Sequence, residues 1–379
     1  MRRQSAAPTA LWSCLQAGWK SKAVSRYACH RTPKRGGDNL TVERTLLQER
    51  LIGIVRRFPQ RRILVIGDAV ADQFIYGAIS RVSREAPVFI LRHEHTETVP
   101  GGAANCALNL ASLGARVSLI SVAGNDEAGR ALVEKLNAAG VDCSGVLTSP
   151  ALQTTTKVRI LAGQLHSTRQ QVIRIDYDGE PLSDPDLRAR LRDSVLEQTQ
   201  AVDAVIVSDY NYGVADAEMA SFTRDAAAAR KIPVLADSRF RLADFVGFSS
   251  ATPNQDEVEG LLRKELVDFV ELETAGEELR ARLGYRALLV TRGSNGMMLL
   301  EDGVAAVHLD AVGAREPVDV TGAGDTVMAA YTLALASDSS FPDAARLANY
   351  AGGLVVMKRG TASVTREELE NSVLHSDLT

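Results

Sequence analysis

The hydrophobic period changes along the chain, and the changes mark out its elements. From Thr41 to Phe58 apolar residues fall at Leu46, Leu47, Leu51, Ile54, Val55 and Phe58, the spacing of one helical face, with Thr41 placed to cap the start and Pro59 to end it. The next stretch, RRILVIGD from Arg61 to Asp68, is a short apolar run between charge and a Gly-Asp turn, the pattern of a strand buried on both faces. Similar runs follow at VSLISVAG (Val117–Gly124), AVIVSDY (Ala204–Tyr210), PVLADS (Pro233–Ser238) and ALLVTRG (Ala287–Gly293). Helical stretches lie between them at Glu127–Ala139, Asp186–Gln198 and Ala215–Arg230. Strands alternating with helices predict βαβ units, hence an α/β domain with a central, mostly parallel sheet flanked by helices. In such sheets ligands gather beyond the carboxyl ends of the strands, where Asp68, Asp209, Asp237 and Arg292 fall.

Two segments break the alternation, one near 74–99 and one near 154–178, both rich in β-branched residues with a polar middle. They predict hairpins that leave the main layer and form a small β-sheet lid, an element suited to excluding water from a reaction. The first 37 residues also stand apart, because Arg2, Arg3, Lys20, Lys22, Arg26, Arg31, Lys34 and Arg35 are joined by no acid before Asp38. Residues 1–37 are therefore expected to be a disordered basic extension, and 38–379 one folded domain. The extension reads either as an organellar transit peptide or as translated sequence upstream of the native start.

Composition narrows the function. A formal net charge of -4 over 379 residues argues against a nucleic-acid partner, which would need a clustered basic excess. No apolar run approaches the ~20 residues that span a bilayer, so no membrane association is expected. The four cysteines lie far apart with no CxxC pair, which points to a reducing cytoplasm as the default location.

Three clusters carry candidate chemistry. In TGAGD, Thr321 to Asp325, Gly322 and Gly324 allow a tight turn before the strong helix former TVMAAYTLALA. Free amides at a positive helix end make an anion site, and Asp325 beside it can accept a hydroxyl proton. Alone, the motif is equally a helix stabilised by an acid in its first turn. In PGGAANCALNLASLG, Gly101 and Gly102 permit close backbone approach, and Asn105 offers a donor and an acceptor to a sugar hydroxyl, although a tightly packed Ala-rich helix reads the same way. In ATPNQDEVEG, Asn254 and Glu257 share a helix face and offer oxygen to a hydrated magnesium ion, or simply cap the helix.

The three clusters in this order resemble the ribokinase, or PfkB, family of carbohydrate kinases, over about Arg62 to Thr365. The resemblance implies a ribokinase-like fold and ATP-dependent phosphoryl transfer. In it Asp325 is the catalytic base, Gly322, Ala323 and Gly324 form the anion hole, and Asn254 with Glu257 organises Mg2+ through water. Thr291, Gly293, Gly296, Thr321 and Asn349 would meet the nucleotide. GDAVADQFIYGAISRVSREAPV, TKVRIL, QQVIRIDYD and SDYNYG are similar in turn to the kinases that act on heptose 7-phosphate in ADP-heptose synthesis for bacterial lipopolysaccharide.

A phosphorylated substrate calls for cations, and Arg81, Arg84, Lys157, Arg159, Arg169 and Arg174 lie in the two lid segments, two or three of them expected to touch it. Asp68, Asp72 and Asp209 would hold sugar hydroxyls. The family also implies a potassium ion near Asp319 and Gly360, and a homodimer through the lids. Two departures leave the acceptor open: SDYNYG has Tyr212 where these kinases tend to have lysine, and DSR has Arg239 in place of DPK. The alternatives are a kinase of another sugar or sugar phosphate, and a catalytically silent sugar-binding protein on the same fold.

Overall fold

The computed structural model describes residues 37–163, 169–179, 182–313 and 316–376. Residues 1–36, which hold most of the basic extension, lie outside it. The chain divides into a unit of residues 1–43, described only from the start of the first helix, and a unit of residues 44–379 that carries the whole site.

In chain order the strands are β1 (Arg62–Gly67), β2 (Ala69–Val82), β3 (Phe89–Gly102), β4 (Arg116–Gly124), β5 (Val141–Ser149), β6 (Thr156–Gly163), β7 (Gln170–Tyr177), β8 (Ala204–Asp209), β9 (Val234–Ser238), β10 (Ser250–Ala251), β11 (Ala287–Thr291), β12 (Met297–Glu301) and β13 (Val307–Leu309). The helices are α1 (Gly37–Val55), α2 (Ala103–Ser112), α3 (Glu127–Ala138), α4 (Pro185–Thr199), α5 (Ala217–Arg230), α6 (Gln255–Leu262), α7 (Phe269–Leu283), α8 (Ala323–Ala336), α9 (Phe341–Val355) and α10 (Arg366–His375). The described residues form two sheets. The larger runs β13-β12-β11-β10-β9-β8-β1-β4-β5, parallel from β11 to β5 and antiparallel at β11/β12 and β12/β13.

Because side chains alternate across a strand, β1 feeds two cores at once. Ile63 and Val65 join Leu110, Tyr331 and Leu347 of α2, α8 and α9 on one face. Leu64 and Ile66 join Leu191, Met219 and Leu279 of α4, α5 and α7 on the other. Burial on both faces is why this strand reads as a continuous apolar run.

The smaller sheet runs β3-β2-β6-β7, with β2 and β6 parallel and the outer pairs antiparallel. It is built from the two segments that broke the alternation. Its first hairpin is longer than the sequence pattern suggested: β2 starts at Ala69, with only Asp68 between it and the end of β1, and β3 runs on to Gly102 at the start of α2. The small sheet thus grows directly from the carboxyl edge of the large one. Among the described residues no helix is long and apolar enough to cross a membrane.

Candidate active site

The motif TGAGD opens helix α8. Gly322 is its N-cap at φ 76°, and a β-carbon there would lie 2.6 Å from Asn105 Nδ2, so both backbone and space demand glycine. No side chain caps this end. The Ala323 amide closes a turn on the Val320 carbonyl at 3.2 Å, and Gly322, Ala323 and Gly324 line a cavity at the positive end of the helix.

Asp325 sits in the first turn, buried at 5% exposure. Asn105 Nδ2 donates to its Oδ2 at 2.6 Å, and the Tyr210 hydroxyl donates to its Oδ1 at 3.1 Å. Burial, and then the field of Asp237, push its carboxyl well above the usual carboxylate range, while the two hydrogen bonds pull the other way. Behind it runs a polar chain: Thr326 Oγ1 donates to Asn109 Oδ1 at 2.8 Å, and Asn109 Nδ2 donates to Asn105 Oδ1 at 3.2 Å. Asn105, expected to meet a sugar hydroxyl, is instead held by this chain with its donor on Asp325. It orients the acid and also lines the cavity.

The cavity has a volume of about 350 Å3 and draws its walls from both sheets. Asp72, Lys157, Arg159 and Arg174 come from the smaller sheet, Arg239 from the end of β9, and Gly101 and Gly102 from the junction with α2. A β-carbon on Gly101 would collide with Asp72 Oδ2, and one on Gly102, at φ 58°, would lie 2.5 Å from the Asp68 carbonyl. Lys157, Arg159 and Arg174 can sit together because register aligns them: Arg159 pairs with Arg174 across β6 and β7, and Lys157 lies two residues along the same face.

Several expected contacts fall elsewhere. Asp68 is buried outside the cavity lining, where its carboxylate accepts the amides of Tyr210, Tyr212 and Val214 at 2.9, 3.0 and 2.9 Å. It braces the turn after β8. Asp209 borders the cavity, but Ser238 Oγ, the Asn211 amide and the Arg241 guanidinium take its oxygens. Arg84 lies exposed in the turn between β2 and β3, at the far end of a hairpin too long to return it to the cavity. Arg81 and Arg169 are also outside the lining, and Arg169 pairs with Glu94. Tyr212 turns its hydroxyl to Asp178 at 2.9 Å.

Asn254 and Glu257 form a reciprocal cap on α6: Asn254 Oδ1 accepts the Glu257 amide at 2.8 Å, and Glu257 Oε2 accepts the Asn254 amide at 2.9 Å. Both nevertheless line the cavity, beside Asp237 and Thr252. The Glu257 carboxyl is pushed up to about 7 by burial first, with Asp237 adding to it. The Asp237 carboxylate has no hydrogen-bond or ion-pair partner among the described residues, and burial with the nearby Asp209 raises its pKa. Thr252 Oγ1 is buried with no hydrogen-bond partner among the described residues. Asp319 accepts the Thr321 and Gly360 amides at 2.9 Å each, tying together the two loops expected to flank potassium.

A second, largely apolar groove of about 180 Å3 shares Thr291, Val320, Ala323 and Gly324 with the first cavity. Gly293, Gly296, Asn349 and Val356 line it, and Asn349 Nδ2 donates to the Asp310 carbonyl at 2.7 Å. One helix end thus divides a charged chamber from an apolar one. The acid Asp325 lines the charged chamber, next in sequence to Gly324 at that boundary.

The pattern of the family described as pfkB family carbohydrate kinase matches residues 60–368. The chain belongs to this family. It is a phosphotransferase with an alcohol group of a carbohydrate as acceptor. The bifunctional protein HldE of Pseudomonas aeruginosa (strain LESB58) is 42% identical over 320 residues, which is 84% of this chain and 64% of that protein. HldE of Pseudomonas putida (strain F1) is 42% identical over 319 residues. The chain therefore spans just under two thirds of the length of these relatives. Among solved structures, Arabidopsis thaliana ribokinase complexed with ribose and ATP aligns with a TM-score of 0.66 at 22% identity, over 83% of this chain and 99% of that one. Escherichia coli phosphofructokinase-2 in complex with potassium aligns at 0.68 and 22% identity, over 83% and 98%. At that identity the likeness establishes the fold, which is ribokinase-like.

The Tyr210 bond to Asp325 and the unpaired Asp237 had no distinct signal in the sequence. Each is a polar residue at a strand end, as Asp68 and Asp209 are, and spacing does not tell them apart.

Proposed function

We propose that the chain is an ATP-dependent kinase of a sugar phosphate, with D-glycero-β-D-manno-heptose 7-phosphate converted to the 1,7-bisphosphate as the leading reaction. The observation that carries this reading is the cation wall of Lys157, Arg159, Arg174 and Arg239 in the cavity that also holds Asp325. A free sugar needs hydroxyl partners. A wall of four cations suits an acceptor that already bears a phosphate. The 42% identity to HldE supports the heptose assignment within that class.

In the proposed mechanism ATP lies along the apolar groove, with its phosphates turned to the start of α8. Asp325, held by Asn105 and Tyr210, takes the proton of the acceptor hydroxyl as that oxygen attacks the γ-phosphorus and the bond to the β,γ-bridging oxygen breaks, ADP leaving with that electron pair. The positive end of α8, where Gly322 and Gly324 line the cavity, would meet the charge that builds on the transferring group, while the Ala323 amide stays on the Val320 carbonyl. The donor set suits magnesium: Asp237, the remaining oxygen of Glu257 and the unpartnered Thr252 hydroxyl are hard oxygen donors whose mutual repulsion a cation would relieve. Among the described residues no group of three or more His, Cys, Asp and Glu side chains is set to hold a metal alone, so water and the nucleotide would complete the shell. Magnesium, when bound, would offset phosphate charge. Asp319 is read as a brace for the loop before α8, and no step is assigned to potassium.

The test is a coupled ADP-release assay across free and phosphorylated hexoses and heptoses. Heptose 7-phosphate is expected to give the highest kcat/KM, and Asp325→Asn to lose roughly 10² or more in kcat while keeping nucleotide affinity. A higher kcat/KM for another sugar phosphate would select the second reading, which the Tyr212 and Arg239 departures keep in view. Wild-type turnover in Asp325→Asn would remove that residue from the chemistry.

A further inference from the structure

Among the described residues two members of the cation wall, Lys157 and Arg239, have no ion-pair partner; Arg239 lies over the adjacent Phe240 ring, whereas Lys157 sits between carboxylates that other groups have taken. Lys157 on β6 has a carboxylate on each cross-strand neighbour, Asp72 on β2 and Asp176 on β7. Each is already engaged: Arg159 pairs with Asp72, and Arg174 holds Asp176 through two bonds of 2.7 and 2.8 Å. Among the described residues Lys157 makes no hydrogen bond or ion pair. Its ammonium instead lies 5.6 Å from the centre of the Tyr212 ring.

That ring is itself fixed from two sides. The Tyr212 amide donates to Asp68 at 3.0 Å, anchoring it to the large sheet, and its hydroxyl donates to Asp178 at 2.9 Å, beyond the end of β7 in the small one. An aromatic face attracts a cation without cancelling its charge, whereas a carboxylate in that place would neutralise it. Burial and the fields of Arg174 and Arg239 oppose charge on Lys157, so an ammonium there needs a favourable seat until an anion arrives.

We propose that Tyr212 is a positioning residue that seats Lys157 as an unpaired cation, and through it sets the preference for a phosphorylated over an unphosphorylated acceptor. The inference rests on the sugar-phosphate reading and adds a residue to it. With the seat removed, Lys157 is free to swing toward Asp72 or Asp176 and be quenched. The site would then bind the sugar's phosphate less well while Asp325 and the nucleotide groove stay as they are.

The experiment compares wild type, Tyr212→Leu and Tyr212→Phe, with D-glycero-β-D-manno-heptose 7-phosphate and the unphosphorylated heptose as acceptors. Tyr212→Leu is expected to raise KM for the heptose phosphate about fivefold, in line with a partly desolvated cation–π contact, with kcat and KM for ATP within about twofold. Tyr212→Phe keeps the ring and is expected to stay within about twofold of wild type in every constant. An unchanged KM in Tyr212→Leu would overturn the inference, and so would a matching rise in KM for ATP or a Phe variant as impaired as Leu. A wild type that shows no preference for the phosphorylated heptose would instead overturn the sugar-phosphate reading.

Discussion

At the scale of single residues, burial first and then mutual repulsion raise the carboxyls of the site, and Glu257 lets the combined effect be measured. Its carboxyl, pushed up to about 7 from an ordinary 4.5, holds a proton more tightly in the folded chain than in the unfolded one. The stability this group contributes is full below about pH 4.5 and is lost as pH rises through about 7. Glu257→Gln keeps the oxygen that caps Asn254 but carries no charge. Without magnesium it is therefore expected to be more stable than wild type at pH 8, by on the order of 1 kcal/mol, with the difference vanishing near pH 4.5. Urea unfolding at both pH values measures it, and a difference that does not change with pH would refute the assignment. The same combined effect bears on Asp325, whose raised carboxyl loses its base form at a higher pH than an ordinary aspartate would.

At the scale of elements, the loop after β8 decides which groups reach Asp325, and Asp68 decides the loop. Three amides, from Tyr210, Tyr212 and Val214, converge on one buried carboxylate. Asp68→Ala would leave them without an acceptor, which is expected to lower stability by about 3 kcal/mol. It would also free Tyr210 from Asp325, so kcat should fall tenfold or more while nucleotide affinity holds. Chemical denaturation and steady-state kinetics on one preparation test both, and a variant with full stability would show that the loop holds itself.

Asp68 also marks the limit of what the sequence discloses. That it ends a buried strand follows from the run RRILVIGD, and that α8 begins at TGAGD follows from its glycines, because both signals are local. Whether a strand-end carboxylate faces a ligand or a backbone amide depends on a loop some 140 positions away, and no local period carries that. The reversed direction of β12, the early start of β2 and the donation of Asn105 to Asp325 are long-range outcomes of the same kind. Tyr212 is an intermediate case: its identity stood out against the resembling kinases, but only the fold shows Lys157 above its ring.

At the scale of the whole molecule, the small sheet exposes apolar side chains that no described residue covers. All of β7 is exposed, and as an edge strand it presents Val172, Ile173, Ile175 and Tyr177 at 41% to 53% exposure. Ile79, Val82, Val88 and Phe89 are also exposed, on the β2–β3 hairpin across the sheet from β7. Exposed apolar strands on an unpaired edge invite association, and natural chains usually blunt them with charge. We propose that a second copy covers this sheet, giving a two-fold homodimer in which each lid is held by the other. Arg174 lies on β7 between these apolar residues and also lines the cavity, so dimerisation would steady one part of the cation wall. Light scattering at tens of micromolar should give twice the chain mass, and Ile173→Lys with Ile175→Lys should give a monomer whose far-ultraviolet circular dichroism is unchanged. In that monomer KM for the sugar phosphate is expected to rise more than KM for ATP, because the apolar nucleotide groove takes its lining from the large sheet and the helices behind it. A wild-type chain that remains monomeric at these concentrations would sink the dimer, and the lid would then have to close on its substrate unaided.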